Sequence, residues 1–137
     1  MQAAIGAAVT FVVGGAALGP SFASHRPTWL RATAVEDLNA DGPTPVTLRI
    51  TKQDGYRQVV ERRTVYVRRE GNEVRVLDST CTHLGCRTRY DAASQQFLCP
   101  CHGGAYDVEG KVVAGPPPAP LRRLEARIED GNVVVQV

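Results

Sequence analysis

Beyond Val46 the chain alternates. "VTLRIT" (46–51), "TVYVRR" (64–69) and "EVRVLD" (73–78) each set apolar and polar side chains on opposite faces, the period of a half-buried strand. Gly71-Asn72, between the last two, is a favoured hairpin turn. "QFLCP" and "AYDV" read as further short strands, with a turn at Glu109-Gly110 after them. The chain closes on "RLEARIEDGNVVVQV". There Leu124, Ala126 and Ile128 alternate into a turn containing Asp130-Gly131, and a valine-rich strand returns. No amphipathic helical pattern and no internal repeat accompany these strands. The pattern predicts a mainly antiparallel β head spanning 46–137, of short strands arranged as a sandwich or small barrel.

The N-terminal end follows different rules. Met1 to Ala23 holds no charged side chain. As a helix, at about 1.5 Å per residue, it would cross a hydrocarbon core of about 30 Å. It is rich in alanine and glycine, and Gly6, Thr10 and Gly14 fall four apart, a face small enough for close packing on other membrane helices. A retained transmembrane anchor over 1–23 is therefore expected. A cleaved signal peptide is the rival, but no basic segment precedes the apolar run, which is also long for one. Trp29 suits a membrane–water interface. Arg26 and Arg31 follow the run, which by the positive-inside rule would put the head in the cytoplasm. Residues 24–45, rich in Pro, Gly and Asx and without clear period, are expected to be a linker, with Glu36 to Asn39 as one short turn.

Composition adds mainly exclusions. With 137 residues and a formal charge of +2, the chain is one modest domain with no electrostatic reason to bind nucleic acid. The paired arginines at 62–63, 68–69 and 122–123 read as solvated strand faces. Aromatic residues are too few for a base-stacking platform.

The chemistry is concentrated in "CTHLGC" (81–86) and "CPCHGG" (99–104). These contain every cysteine of the chain and two of its three histidines, the third being His25 in the linker. Cys81-x-His83 and Cys99-x-x-His102 each offer one thiolate and one imidazole. Two of each would satisfy tetrahedral zinc, but zinc fingers keep their cysteines together and their histidines together on a helix. The mixed boxes suit instead a dinuclear iron–sulfur cluster with two thiolates on one iron and two neutral imidazoles on the other, a ligation that raises the reduction potential.

Both boxes resemble those of Rieske iron–sulfur proteins, specifically the subunits of cytochrome bc and bf complexes. The resemblance implies a Rieske-type sandwich with a cluster-binding part over about 78–121. It implies a 2Fe-2S cluster held by Cys81, His83, Cys99 and His102, with both histidines at a quinol interface, and a disulfide between Cys86 and Cys101. Tyr106 stands where the family has a tyrosine that donates to a ligand sulfur. "GPPPAPL" (115–121), with Pro117, resembles its proline-rich shielding loop, and Leu84 and Gly104 also neighbour the cluster. Ser24 to Ala34 would be its hinge. By the same resemblance the chain is one subunit of a quinol–cytochrome c oxidoreductase, unable to turn over alone. Its partners would be a cytochrome b subunit, a c-type cytochrome and quinol, within a dimeric multi-subunit complex. A structural disulfide favours the oxidising side of the plasma membrane for the head. The twin-arginine stretch common before such anchors is not in this sequence, and a basic segment ahead of the anchor would reverse the orientation argument.

One departure bears on the potential. Quinol-oxidising members of higher potential usually carry serine where this chain has Gly104. Without a hydroxyl to bond a cluster sulfide, the potential is expected low in the Rieske range of about −150 to +300 mV, matching a low-potential donor such as menaquinol. Two rivals remain: the Rieske small subunit of another oxidoreductase, of the arsenite oxidase kind, and a structural zinc or disulfide module on a membrane anchor. Gly85 and Gly103 read as loop backbone, and Tyr90 and Asp107 as ordinary strand-surface residues or partners of the ligands.

Overall fold

The computed structural model describes residues 28–137, so the expected anchor over 1–23 and His25 lie outside the described residues. Among the described residues no helix is long and apolar enough to cross a membrane. Eleven strands among the described residues form three antiparallel sheets. The first contains β1 (Trp29–Ala34), β10 (Ala126–Glu129) and β11 (Asn132–Gln136), in the order β1-β11-β10. The second, ordered β2-β3-β4-β9, contains β2 (Thr44–Asp54), β3 (Arg57–Glu70), β4 (Glu73–Asp78) and β9 (Arg123–Leu124). The third runs β5 (Arg89–Asp91), β6 (Gln96–Leu98), β7 (Ala105–Tyr106) and β8 (Val112–Ala114), in sequence order.

Strand alternation explains how these sheets stack. On β3, Val65 and Val67 point to one side and join Leu48, Ile50, Val76, Val133 and Val135, which closes the first and second sheets into a sandwich. Tyr66, between them, points the other way, and with Leu77 it packs on Phe97, Tyr106 and Leu121 from the side of the third sheet. The central sheet is thus buried on both faces, and its second face is the floor on which Cys81 and Cys99 rest. Asp78, at the end of β4, is buried as well. Its Oδ1 accepts from the N–H and hydroxyl of Thr80 at 2.9 and 2.7 Å, pinning the entry to the first box.

The expected turns at Gly71-Asn72 and Asp130-Gly131 link β3 to β4 and β10 to β11. The expected linker over 24–45 is corrected: Trp29–Ala34 is a strand, paired from Trp29↔Gln136 to Ala34↔Asn132, and a short 3-10 turn follows at Val35–Asp37. Ser24 to Ala34 therefore cannot all be hinge, and the head begins by Trp29 instead of Val46. Leu30 and Ala32 do alternate onto the sandwich core, but small, weakly apolar residues hide the period. The Trp29 ring lies under the Arg127 guanidinium at 4.1 Å, within the head's own sheet. A second difference is the length of the β2–β3 hairpin, which runs as a two-stranded arm to a turn at Gly55-Tyr56, with residues 51–60 exposed.

Candidate metal centre

The two cysteine boxes fold as near copies of one turn. The Cys81 N–H donates to the Cys86 carbonyl at 2.7 Å, and the Cys99 N–H to the Gly104 carbonyl, also at 2.7 Å, each closing a loop five residues on. Four residues after each leading cysteine stands a glycine in the left-handed region, Gly85 at φ 78° and Gly103 at φ 69°. A side chain there would be strained, so both boxes need glycine at that point. The first box lies between β4 and β5, and the second joins β6 to β7. Folding brings the boxes together, with the rings of His83 and His102 edge-to-face at 4.8 Å between centroids.

The cysteines divide into two kinds. Cys86 and Cys101 form a disulfide across the two boxes, while Cys81 and Cys99 are buried free thiols. The sulfurs of Cys86, Cys99 and Cys101 lie within 4.8 Å of one another. That trio is no ligand set, because two of its members have no thiol left to bind with; it records how closely the disulfide packs against Cys99.

Around the free thiols the donor set suits a metal cluster. The Nδ1 atom of His83 is buried with no hydrogen-bond partner, an arrangement that costs about 1–3 kcal/mol unless something else occupies the lone pair. Burial opposes ionisation of the Cys81 thiol. Bonds from the Tyr106 hydroxyl, the His83 N–H, the Cys99 thiol and the Leu84 N–H outweigh it, holding the thiol below its ordinary value. The Tyr106 hydroxyl donates to Cys81 Sγ at 3.2 Å. Burial first, and then the neighbouring sulfur, raises the Tyr106 phenol above its ordinary value, so it stays protonated and keeps that bond. An orphaned imidazole nitrogen, two buried free thiols and a second imidazole alongside fit a thiolate–imidazole cluster site.

Other expected neighbours sort as follows. Leu84 is 70% exposed beside His83. Gly104 and Pro117 are buried and in mutual contact. Tyr90 and Asp107 do structural work. The Tyr90 ring packs on Phe97 and its N–H donates to the Tyr66 hydroxyl, while Asp107 Oδ1 accepts the N–H groups of Glu109 and Lys111 in a turn. One residue went unnoticed in the sequence, Thr82. Its N–H donates to the Tyr106 hydroxyl at 3.0 Å, and its own hydroxyl donates to the Ala119 carbonyl at 2.6 Å. It thus ties the first box to the proline-rich loop. No sequence signal marks it, since both partners are distant in the chain.

A small antiparallel sheet whose two loops present free thiols and paired imidazoles on an aromatic floor fits the class of iron–sulfur proteins. The chain belongs to the Rieske [2Fe-2S] domain family, whose model matches residues 28–125. Among relatives, it is 37% identical over 110 residues to the cytochrome b6-f complex iron-sulfur subunit of Prochlorococcus marinus (strain MIT 9312), covering 76% of this chain and 62% of that one. It is 41% identical over 73 residues to the subunit of the same name from Chlorobaculum tepidum, covering 53% of this chain and 40% of the other. The chain thus spans less than two thirds of either relative. In solved structures the fold is similar to the cyanobacterial plasma membrane Rieske protein PetC3 from Synechocystis PCC 6803 (TM-score 0.57, 25% identity, 79% of this chain and 99% of that one). It is also similar to the ferredoxin of carbazole 1,9a-dioxygenase from Nocardioides aromaticivorans IC177 (TM-score 0.51, 25% identity, 79% and 96%). The fold is thus shared by a plasma membrane Rieske protein and by a ferredoxin, and does not by itself separate the two. The 2Fe-2S cluster is the cofactor common to the family.

Proposed function

We propose that this chain is the Rieske electron-transfer subunit of a quinol–cytochrome c oxidoreductase, bound to a cytochrome b subunit and passing electrons to a c-type cytochrome. The observation that carries this reading is the Cys86–Cys101 disulfide across the two boxes, because simpler Rieske carriers typically lack the second cysteine pair. The likeness to cytochrome b6-f iron-sulfur subunits supports the same choice. On this reading the head sits on the outer side of the plasma membrane, anchored through residues 1–23, in a dimeric complex.

When bound, the cluster supplies a one-electron acceptor for quinol and a donor to the cytochrome. Cys81 and Cys99 would hold one iron, and His83 and His102 the other. His83 would bind through its buried, unpartnered Nδ1, leaving Nε2 to face a substrate. Bound through Nδ1, a neutral imidazole carries its proton on Nε2; with that proton removed, Nε2, or its counterpart on exposed His102, would accept a hydrogen bond from a quinol hydroxyl and then take its proton. Leu84, largely exposed beside His83, offers the apolar contact a quinol ring needs. Tyr106 stabilises charge on Cys81 Sγ and so favours the reduced state. Gly104 withholds a further donor, which suits a low-potential quinol such as menaquinol.

The test is a reduced-minus-oxidised visible spectrum of the complex that co-purifies with this chain from gently solubilised membranes. Bands of b- and c-type haems are expected, with turnover faster on a menaquinol analogue than on ubiquinol. A complex holding molybdenum and no haem b would overturn the quinol reading and leave the cluster intact.

A further inference from the structure

The space beside Gly104 is already filled. A Cβ at that position would lie 2.7 Å from Cγ and 3.1 Å from Cδ of Pro117, and 3.5 Å from Cβ of Cys99. Real Cβ atoms do not approach carbon at 2.7 Å, and a proline ring has no flexible end with which to yield. Pro117 is also the one buried residue of 115–120; its neighbours in that loop are exposed.

Nor is the loop free to withdraw. Gly115, at φ 84°, meets the second box backbone to backbone: a Cβ there would lie 2.7 Å from the Gly103 carbonyl oxygen and 2.8 Å from the Gly104 Cα. Farther along, the Ala119 carbonyl is bound by the Thr82 hydroxyl at 2.6 Å, which fastens the loop to the first box. Gly104 is fixed in turn through its carbonyl, which takes the Cys99 N–H at 2.7 Å. Pro117 is thus held from both sides against the space that the Cβ of a side chain at 104 would need, 3.5 Å from Cβ of Cys99.

We propose that Pro117 is a positioning residue for the cluster's potential: its ring occupies the volume of a side chain at position 104 and so excludes a hydroxyl donor from the cluster edge beside Cys99. Having no N–H, proline supplies no donor in exchange. The potential is then a property of the Gly104–Pro117 pair, and restoring the hydroxyl requires changing both residues. This rests on the low-potential reading of Gly104 above.

The experiment is a double-mutant cycle on the cluster-loaded full chain, with Gly104→Ser, Pro117→Ala and the double variant, read by redox titration and by the temperature at which visible absorption is lost. The expected result is non-additive. Gly104→Ser alone does not raise the potential and releases the cluster at lower temperature. The double variant shifts the equilibrium towards reduction tenfold beyond the sum of the singles, about 59 mV for one electron. If Gly104→Ser fails to hold the cluster at all while the double variant holds it, the steric half of the proposal stands. Comparison of the double variant with Gly104→Ala/Pro117→Ala then decides the hydroxyl half. A rise as large in Gly104→Ser as in the double variant overturns the proposal, as does a double variant no higher than its alanine counterpart. A high potential in the unaltered protein instead defeats the menaquinol reading, while the cycle still judges Pro117.

Discussion

Val65 and Tyr66 are neighbours on β3, and their side chains enter two differently built halves of the molecule. Val65 joins a core of aliphatic residues between long strands, β3 alone running to 14 residues. Tyr66 joins a sheet whose strands are two or three residues long. Ladders that short bury little and nucleate poorly by themselves. What the aliphatic half achieves by burial, the cysteine half achieves by cross-links: a disulfide spanning 15 residues, a tyrosine bonded to a thiol, and a loop fastened to both boxes. The difference teaches that the site's precision is stored in ties between loops, while the sandwich supplies the floor.

The strongest way to break this comparison is to remove a tie at its centre. Cys99→Ser is expected to abolish the visible absorption and the paramagnetic signal of the cluster, while far-ultraviolet circular dichroism retains the β signature of the sandwich. Collapse of both signals together would show the halves to be one unit. Next, Cys86→Ala/Cys101→Ala removes a closed loop worth about 3 kcal/mol by chain entropy. Cluster loss on heating moves to lower temperature, and the unfolding of the sandwich stays in place.

The reciprocal change sharpens the contrast from the other side. Val133→Ala, at a fully buried position, is expected to cost about 2 kcal/mol of sandwich stability by denaturant titration and to leave the cluster's potential unchanged. Tyr106→Phe keeps the packing and removes the donor to Cys81. The potential should fall by about 59 mV, a tenfold change in the one-electron equilibrium, with the unfolding temperature little altered.

The smallest effect belongs to the exposed arm. Hydrogen bonding from Lys52, then Arg63, holds the Glu61 carboxyl below its ordinary value of 4.5. A depressed carboxylate contributes above the unfolded value and loses that contribution as pH falls through the folded one. Glu61→Gln should therefore cost less than about 0.5 kcal/mol at neutral pH, and the difference from the unaltered protein should begin to shrink as pH falls below 4.5 and vanish only below the lowered folded value.

How far the sequence disclosed all this depended on the range of the interactions. The boxes were legible because thiols and imidazoles sit in them at fixed local spacings, and the valine strands because a clean period of two marks them. β1 was hidden by alanine and threonine, whose pattern gains meaning only against β11. The arm over 51–60 was hidden because, exposed on both sides, it has no apolar face to mark its period. Thr82 acts on partners 24 and 37 residues away, and Pro117 acts through Gly104; neither contact leaves a local trace.

β1 carries a mechanical meaning as well. Whatever chain enters the head ahead of Thr28 does so through this strand, which is zipped antiparallel to β11, and the Val137 N–H closes the ladder on the Thr28 carbonyl at 2.9 Å. The bonds of such a ladder lie across the strands, so a tug along β1 loads them together in shear instead of peeling them one by one. The load passes to β11 and to Val133 and Val135 within the aliphatic core. The sheet that carries the two boxes lies on the far side of that path, so the head can be towed by its first strand while the histidines keep their aim.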